Sequence, residues 1–238
     1  MHPLAGIIVF QDLPETVLER LLRASVFLEP PSGTRLITEG DASDAVFAIV
    51  SGEGHVRIGA SDAKGKSLML AIFQVGEIVG ELGIIEGIPR TADVVTAGRV
   101  RLARIDGAAF MGLLREYPTV GLALCRVLSE RMRRTSILLR DATFESLEVR
   151  LARQLLYLMA HSSRRIDGGM QLRGRYRQSD LADLLGTTTR SIITVLHAWR
   201  SLRIVEFDAA AGRLTVMRED QLRWLVTDEP ATPPPSEL

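Results

Sequence analysis

The stretch from residue 33 to residue 104 constrains the fold most, because short β-prone runs recur there between glycine-containing turns. The runs at 45–50 (A-V-F-A-I-V) and 68–73 (L-M-L-A-I-F) are rich in residues that favour strands. The expected turns lie at 39–41, 51–54, 63–66 and 75–77. Short strands at regular spacing are typical of a small antiparallel barrel or jelly roll. An amphipathic helix, predicted over residues 13–28 with Pro14 in its first turn, would form a lid on it.

The pattern changes to helical after Asp106. We predict a short helix over residues 108–115 and a long one from Pro118 to about Phe144. Along the long helix, residues at alternating spacings of four and three form a heptad seam: Gly121, Cys125, Leu128, Met132, Thr135, Leu139 and Ala142. This seam can pack on the chain's own barrel or on a second copy of itself. The helix is too long for a small barrel to cover, which favours a homodimer.

The last third of the chain has the pattern of a winged helix-turn-helix. An amphipathic helix predicted over residues 147–160 is followed by a loop rich in Ser, Arg and Gly. Two short helices then flank Gly186, with Ser179 as the predicted cap of the first and Thr187 and Thr188 as caps of the second. The second helix carries Ile192, Ile193, Leu196 and Trp199. A two-stranded hairpin over residues 204–217 completes the unit as a wing.

In a helix-turn-helix the second helix lies in the DNA major groove, and its early exposed side chains meet the bases. Those positions are held here by Thr188, Thr189, Arg190 and Thr194. Arg190 can form a fork with guanine O6 and N7, or instead contact a phosphate or lie in solvent on the helix face. Three further arginines are interpreted as phosphate contacts: Arg173, Arg175 and Arg177. Ser179 is also predicted to contact DNA.

Charge supports DNA binding only locally. The whole chain has 29 Lys and Arg against 29 Asp and Glu, so it has no overall basic character. Residues 164–203 contain eight Arg and three Asp, a local net charge of +5, while residues 228–238 are acidic and Pro-rich. The nucleic-acid prediction therefore rests on the helix-turn-helix segment.

A second chemical site is predicted within residues 79–96, V-G-E-L-G-I-I-E-G-I-P-R-T-A-D-V-V-T. Gly80 allows the backbone to approach a ligand closely, and the N–H groups around Leu82 can face an anion. Arg90 can bind phosphate oxygens through its guanidinium fork. Glu81 does not suit an anion but can accept a hydrogen bond from a sugar hydroxyl. A phosphate and a hydroxyl on one small molecule indicate a nucleotide.

The composition argues against other kinds of site. The single cysteine, Cys125, excludes disulfides, thiolate zinc sites and iron–sulfur clusters within one chain. A cupin-type metal enzyme needs clustered histidine and carboxylate ligands, but the four histidines are scattered over different predicted elements. We therefore expect a protein that binds no metal and is not an enzyme. No run approaches the roughly 18 apolar residues of a membrane span, and the start lacks a targeting pattern. We therefore expect a cytoplasmic protein without a membrane partner.

These residues resemble the Crp/Fnr (catabolite activator protein) family of bacterial transcription regulators, over about residues 10–225. The similarity lies in Glu39-Gly40-Asp41, in Gly80-Glu81-Leu82 and in Pro89-Arg90-Thr91-Ala92, the last two resembling the phosphate-binding cassette of cyclic-nucleotide domains. The resemblance implies that Glu81 binds the ribose 2′-hydroxyl, that Arg90 binds the cyclic phosphate and that Thr91 supports it. It also places Thr135 and Ser136 where cyclic-AMP regulators contact adenine, with the second hydroxyl coming from the other subunit. From the residues alone, Thr135 could equally be a seam residue bonded to its own helix.

The resemblance implies an α+β fold in four parts. These are an N-terminal antiparallel β jelly-roll cyclic-nucleotide-binding domain (1–116), a long dimerisation helix (117–145), a C-terminal winged helix-turn-helix domain (146–226) and a Pro-rich tail expected to be disordered (227–238). The implied function is a homodimeric transcription regulator whose binding to two half-sites of double-stranded DNA is controlled allosterically by a cyclic nucleotide, with RNA polymerase as a further partner. Cyclic AMP is favoured by Thr135 and Ser136, while Thr91 also suits cyclic GMP. Constitutive DNA binding or a response to cyclic di-GMP is the alternative.

The chain departs from the family pattern in two places. The family's Arg-Glu-Thr-x-x-Arg is replaced by Thr189-Arg190-Ser191-Ile192-Ile193-Thr194, so the usual TGTGA half-site is not assumed. The cysteine cluster of oxygen-sensing members is absent, and His55 is interpreted as a surface or structural histidine rather than a haem ligand.

Overall fold

The structure is a computed structural model that describes residues 2–61 and 67–227. The chain divides into two compact units, Met1–Ile137 and Leu138–Leu238. The turn predicted at 63–66 and the Pro-rich tail from residue 228 onward lie outside the described residues. The domain limits expected from the resemblance stay a prediction.

The first unit combines strands with surrounding helices. Its described strands are β1 (Ser25–Leu28), β2 (Arg35–Ile37), β3 (Ala45–Gly52), β4 (His55–Ser61), β5 (Ser67–Phe73), β6 (Ile78–Val79), β7 (Asp93–Ala97) and β8 (Val100–Asp106). Its helices are α1 (Glu15–Arg23), α2 (Glu81–Glu86), α3 (Gly107–Glu116) and α4 (Pro118–Phe144), the last of which continues into the second unit.

The strands of this unit form two four-stranded antiparallel sheets, which confirms the predicted β domain. The strand orders are β1-β8-β3-β6 and β2-β7-β4-β5, a jelly-roll arrangement. Ile49 and Leu102 of one sheet meet Val56 of the other in a fully buried apolar layer. On its other face the first sheet packs against the helices, with Phe10 and Phe110 fully buried. Two apolar layers therefore hold the first sheet in place.

The helix predicted over residues 13–28 is wrong in its second half. The helix α1 ends at Arg23, and residues 25–28 form strand β1, which pairs antiparallel with β8 from Ser25↔Ile105 to Leu28↔Leu102. Pro14 takes the N-cap position rather than the first turn. Residues 25–28 form a strand rather than a helix because Val26 and Phe27 favour extended backbone and the edge of β8 supplies hydrogen-bond partners.

The long helix predicted from Pro118 to about Phe144 is confirmed as α4. Only its start is buried in the first unit, through Val120 and Leu124. Further along, Met132 and Leu139 are each 70% exposed in the single chain. Most of the heptad seam is thus left uncovered by the chain itself.

The second unit contains a helix-turn-helix and a four-stranded sheet. Its helices after α4 are α5 (Leu147–His161), α6 (Gln178–Leu185), α7 (Thr189–Ser201) and α8 (Glu219–Val226), and its strands are β9 (Ser163–Ile166), β10 (Gly169–Leu172), β11 (Val205–Asp208) and β12 (Arg213–Val216). The strand order is β11-β12-β10-β9. Helix α8 was not predicted from the sequence. Among the residues described, no helix combines the length and apolar character needed to cross a bilayer.

The loop predicted after the α5 segment is wrong, because residues 163–172 form a β-hairpin. Asp167-Gly168 makes its turn, with Gly168 at φ +83°, and Asp-Gly between two strand-like runs is a recognised hairpin signal. Met170 of this hairpin pairs with Val216, so the wing is half of a four-stranded sheet rather than an isolated pair of strands. The second hairpin gives the wing the neighbours that an isolated hairpin lacks.

Candidate functional site

A cavity of about 350 Å³ lies in the first unit beside α2. Its polar lining consists of Glu81, Arg90, Thr91, Arg131 and Thr135, and its apolar lining includes Ile37, Phe73, Val79, Leu82, Leu128 and Met132. Gly80 also lines it, so six of the predicted nucleotide-site residues are brought together, whereas Ser136 is not among the lining residues. Apolar walls with a few convergent polar groups are typical of a small-molecule site.

Gly80 is the N-cap residue of α2, and the backbone conformation at this position favours glycine. It has φ +88°, a left-handed conformation that other residues rarely adopt. A Cβ at this position would lie 2.7 Å from Nη1 of Arg90 and 2.9 Å from Cδ1 of Ile37. The glycine therefore allows the arginine to pass close to the backbone.

Arg90 is a buried, fully oriented cation at the wall of the cavity. Only 6% of it is exposed, its Nη1 donates to Gly80 O at 2.9 Å, and its Nη2 donates to Ala45 O at 2.8 Å. Nη2 also reaches Asp44 Oδ1 at 3.0 Å. Its own N–H donates to Asp41 O at 2.8 Å, which fixes the backbone of the segment. A guanidinium held in this way is preorganised to bind an anion.

Asp44 connects Arg90 to a second arginine. Its Oδ2 accepts a hydrogen bond from Nη2 of Arg104 at 2.5 Å. Partial desolvation raises the pKa of Asp44, but the hydrogen bond from Arg104 and the charges of Arg104 and Arg90 outweigh it, so that the pKa lies below its usual value. The carboxylate thus stays charged at neutral pH and keeps Arg90 in place.

Glu81 is 3% exposed and forms an ion pair with Arg131, a residue that the sequence analysis did not assign to the site. Nη1 of Arg131 donates to Glu81 Oε1 at 2.8 Å, and its Nη2 donates to Ile78 O at 2.8 Å. The guanidinium also lies 3.9 Å from the centre of the Phe73 ring. Arg131 lies one helical turn before Thr135, which is the sequence signal that could have identified it.

The two hydroxyls predicted to contact a base differ in position. Thr135 lines the cavity and its hydroxyl donates to Arg131 O at 3.0 Å, while the hydroxyl of Ser136 donates to Met132 O at 3.0 Å. In the single chain both hydroxyl protons are therefore donated to the backbone of α4. For Thr135 this agrees with the alternative interpretation, a seam residue bonded to its own helix. Each oxygen keeps its capacity to accept a hydrogen bond.

No metal site emerges in the described part of the chain, where no group of three or more His, Cys, Asp or Glu side chains could hold an ion. His55 lies on β4 and is 1% exposed. It is a buried strand histidine, one of the two interpretations that the sequence favoured.

Local hydrogen bonds and a glycine cap the two helices of the helix-turn-helix. Gly186 ends α6 at φ +60°, and Thr188 Oγ1 accepts from Ser191 N at 3.1 Å at the start of α7, which confirms both predictions. Ser179 is not the N-cap of α6: the cap position belongs to Arg177, whose N–H donates to Asp180 Oδ2 at 3.1 Å. The carboxylate takes the capping role because it can reach back three residues.

One side of α7 is buried and the other is exposed. The buried side consists of Ile192, Val195, Leu196 and Trp199, and the exposed side of Thr189, Arg190, Ile193, Thr194 and His197. Within the described residues, no ion pair engages Arg190. The predicted phosphate contacts Arg173, Arg175 and Arg177 are also exposed. Sequence reasoning did not separate Ile193 from its buried neighbours.

Comparison with known proteins assigns both units to described domains. Residues 28–117 match the cyclic nucleotide-binding domain, and residues 149–225 match the Crp-like helix-turn-helix domain. A CRP-like cAMP-activated global transcriptional regulator of Mycobacterium tuberculosis (strain ATCC 25618 / H37Rv) is 29% identical over 184 residues, which cover 77% of this chain and 81% of that protein. The cyclic AMP receptor protein of Thermus thermophilus is 28% identical over 168 residues, 71% of this chain and 74% of that protein.

The fold is also shared with a solved structure. The c-di-GMP-responsive global regulator CLP of Xanthomonas campestris superposes with a TM-score of 0.69 at 24% identity, covering 85% of this chain and 99% of that chain. The two domains together define a cyclic-nucleotide-binding transcription regulator that reads DNA through a helix-turn-helix. The chain belongs to the Crp/Fnr family, whose members are transcription regulators rather than enzymes.

Proposed function

We propose that this protein is a homodimer whose binding to two DNA half-sites is controlled by cyclic AMP, with cyclic GMP as the second candidate. The observation that carries the proposal is the convergence of Arg90, Glu81 and Thr135 on one cavity. The cavity volume is at the small end of the range for small-molecule sites, which favours a cyclic mononucleotide over cyclic di-GMP. RNA polymerase remains a proposed partner, on the basis of the family alone.

Each polar group in the cavity has a role in this proposal. Arg90 binds the cyclic phosphate, because its guanidinium is already oriented by Gly80 O, Ala45 O and Asp44. Glu81 accepts a hydrogen bond from the ribose 2′-hydroxyl. Arg131 binds only Oε1 of that carboxylate, which has a second oxygen. The negative charge of Glu81 is thereby balanced inside a buried site.

The base is read from α4. Thr135 on the cavity wall accepts a hydrogen bond from the adenine amino group, and Ser136 of a second chain completes the contact in the dimer. Thr91, which lines the same cavity, gives guanine an alternative partner. The choice between the two cyclic nucleotides thus depends on two hydroxyl groups that line the same cavity, those of Thr91 and Thr135.

Control of DNA binding follows from the ligand touching the jelly roll and α4 together. The dimer samples arrangements that do or do not space its two α7 helices one DNA turn apart, and the nucleotide binds one arrangement better. A tenfold gain in DNA affinity needs about 1.4 kcal/mol of coupling, which is modest for one ligand in each subunit.

The dimer predicts a specific disulfide. Cys125, the only cysteine of the chain, is exposed and lies in the heptad seam. In a parallel two-fold pair of α4 helices the two Cys125 side chains face each other, so mild oxidation should give a reducible covalent dimer. A Cys125→Ser/Glu130→Cys variant, with its thiol on the outer side of the helix, is the control and should stay monomeric on a non-reducing gel. A wild-type thiol that reacts with small reagents but does not cross-link would contradict the dimer.

The whole proposal is tested by gel shift with genomic DNA fragments, without nucleotide and with cyclic AMP, cyclic GMP or cyclic di-GMP. We expect retarded fragments only with cyclic AMP or, more weakly, with cyclic GMP. Calorimetry on the same protein should give one site per chain. Retardation to the same extent with and without each nucleotide would support constitutive DNA binding. No retardation under any condition would refute the proposed regulator.

A further inference from the structure

The exposed face of α7 carries an aliphatic side chain between two polar ones. Ile193 is 44% exposed, whereas its neighbour Ile192 is fully buried. Arg190 lies three residues before Ile193 and His197 four residues after it, so the three side chains share one face of the helix. This face is the one that a helix-turn-helix presents to the DNA major groove.

Thr194 follows Ile193 on the exposed side of α7. Its hydroxyl donates to Arg190 O at 3.0 Å, so the helix backbone already takes its proton. Thr194 is exposed beside Ile193. The hydroxyl oxygen can still accept a hydrogen bond, and the methyl group of Thr194 is available for an apolar contact with a base.

The composition of α7 limits which bases it can read. Between Thr189 and Ser201 there is no Asp or Glu, so the helix has no carboxylate to accept from cytosine N4. Arg190 is a donor suited to guanine. An aliphatic surface has one specific target in the major groove, the C5-methyl group of thymine.

We propose that Ile193, together with the methyl group of Thr194, contacts the C5-methyl group of a thymine and so selects an A·T pair near the guanine read by Arg190. This inference rests on the proposed function of α7 in DNA binding. Ile193 lies about 4.5 Å beyond Arg190 along the helix axis. Base pairs are about 3.4 Å apart. The thymine therefore lies within one or two base pairs of the guanine.

The test begins with selection of binding sequences from random duplex DNA by the full-length protein, with cyclic AMP, with cyclic GMP and without nucleotide. Each thymine of the selected half-site is then replaced by deoxyuridine, which removes only the C5-methyl group and keeps every hydrogen-bonding group. We expect the wild-type affinity to fall about fourfold at one thymine near the guanine, the equivalent of one buried methyl group.

Ile193→Ala should remove this discrimination. At that position the variant should bind thymine and uracil duplexes equally, while its ratios at other thymines match those of the wild type. Leu202→Ala is the matched control, because Leu202 is 63% exposed but follows the end of α7 on the opposite side of the helix from Ile193. This control should keep the fourfold ratio. Since Ile193 is exposed, the substitution leaves the core intact.

The outcomes separate this inference from the proposed function. A wild-type half-site without thymine near the guanine, or an Ile193→Ala variant that keeps the fourfold ratio, overturns the inference and leaves the regulator intact. A change in oligomeric state of Ile193→Ala in sedimentation assigns the side chain to a protein contact and also overturns it. A wild-type protein that selects no sequence with cyclic AMP or with cyclic GMP overturns the proposed function and this inference together.

Discussion

Replacing Arg90 by alanine is expected to lower the affinity for the activating cyclic nucleotide by roughly 100-fold, about 2.7 kcal/mol. The effect is large because the guanidinium is buried and supplies charge-assisted donors, while the other arginine of the cavity lining, Arg131, is already paired with Glu81. Calorimetry with cyclic AMP and cyclic GMP measures it directly. An unchanged dissociation constant would mean that the anion binds elsewhere.

Arg90→Ala also removes donors from Gly80 O and Ala45 O, so its folding must be checked. Thermal melting without nucleotide separates lost binding from lost structure. Arg90→Lys keeps a charge but not the fork and should fall between the wild type and the alanine variant. Arg99→Ala is the surface control, because Arg99 is exposed and does not line the cavity.

For Arg190→Ala we expect a loss of specific DNA affinity of roughly 5- to 150-fold with little change for random DNA. The reason is that a guanidinium on the exposed face of α7 can form two hydrogen bonds with one guanine, a contact that only the correct sequence would offer. Fluorescence anisotropy with the selected half-site and with random duplex measures both affinities.

The control for Arg190 is Arg173→Ala. Arg173 is exposed outside α7, and its Nε donates to Ser163 O at 3.3 Å. If Arg173 contacts a phosphate, its loss should weaken the binding of specific and random DNA about equally. It should also reduce the slope of the logarithm of DNA affinity against the logarithm of salt concentration by about one. If Arg190→Ala behaves in the same way, Arg190 is a phosphate contact and sequence is read elsewhere on α7.

The nucleotide cassette could be found from the sequence because its chemistry is local. Gly80, Glu81, Arg90 and Thr91 lie within a dozen residues, and their side-chain types carry the argument without any knowledge of the fold. The partners that hold them in place are distant in the chain. Asp44 is 46 residues from Arg90, and Arg131 is 50 residues from Glu81. Only the folded chain brings such residues together, so no local pattern could identify them.

The errors in secondary structure have a related cause. Residues 25–28 continue an amphipathic pattern beyond Arg23, and only the free edge of β8 decides that they form a strand. The hairpin at 163–172 was missed although Asp167-Gly168 signals a turn, because its strands carry Arg and Ser rather than an apolar alternation. The capping of α7, which depends on Thr188 and a residue three positions away, was predicted correctly. Short-range rules succeed where the partner is near in the chain.

The contact between Arg131 and Glu81 has a consequence for how any occupant enters the cavity. A hydroxyl that binds Glu81 would meet a carboxylate already paired with Arg131, a cation that also donates to Ile78 O, lies on the Phe73 ring and forms a second ion pair with Glu77 at 3.6 Å. Arg131 itself lies on α4, so the carboxylate and the helix are joined by a direct ion pair. A hydroxyl bound at the second oxygen of Glu81 would therefore share the carboxylate with Arg131, and α4 would be connected to the ligand through that shared group.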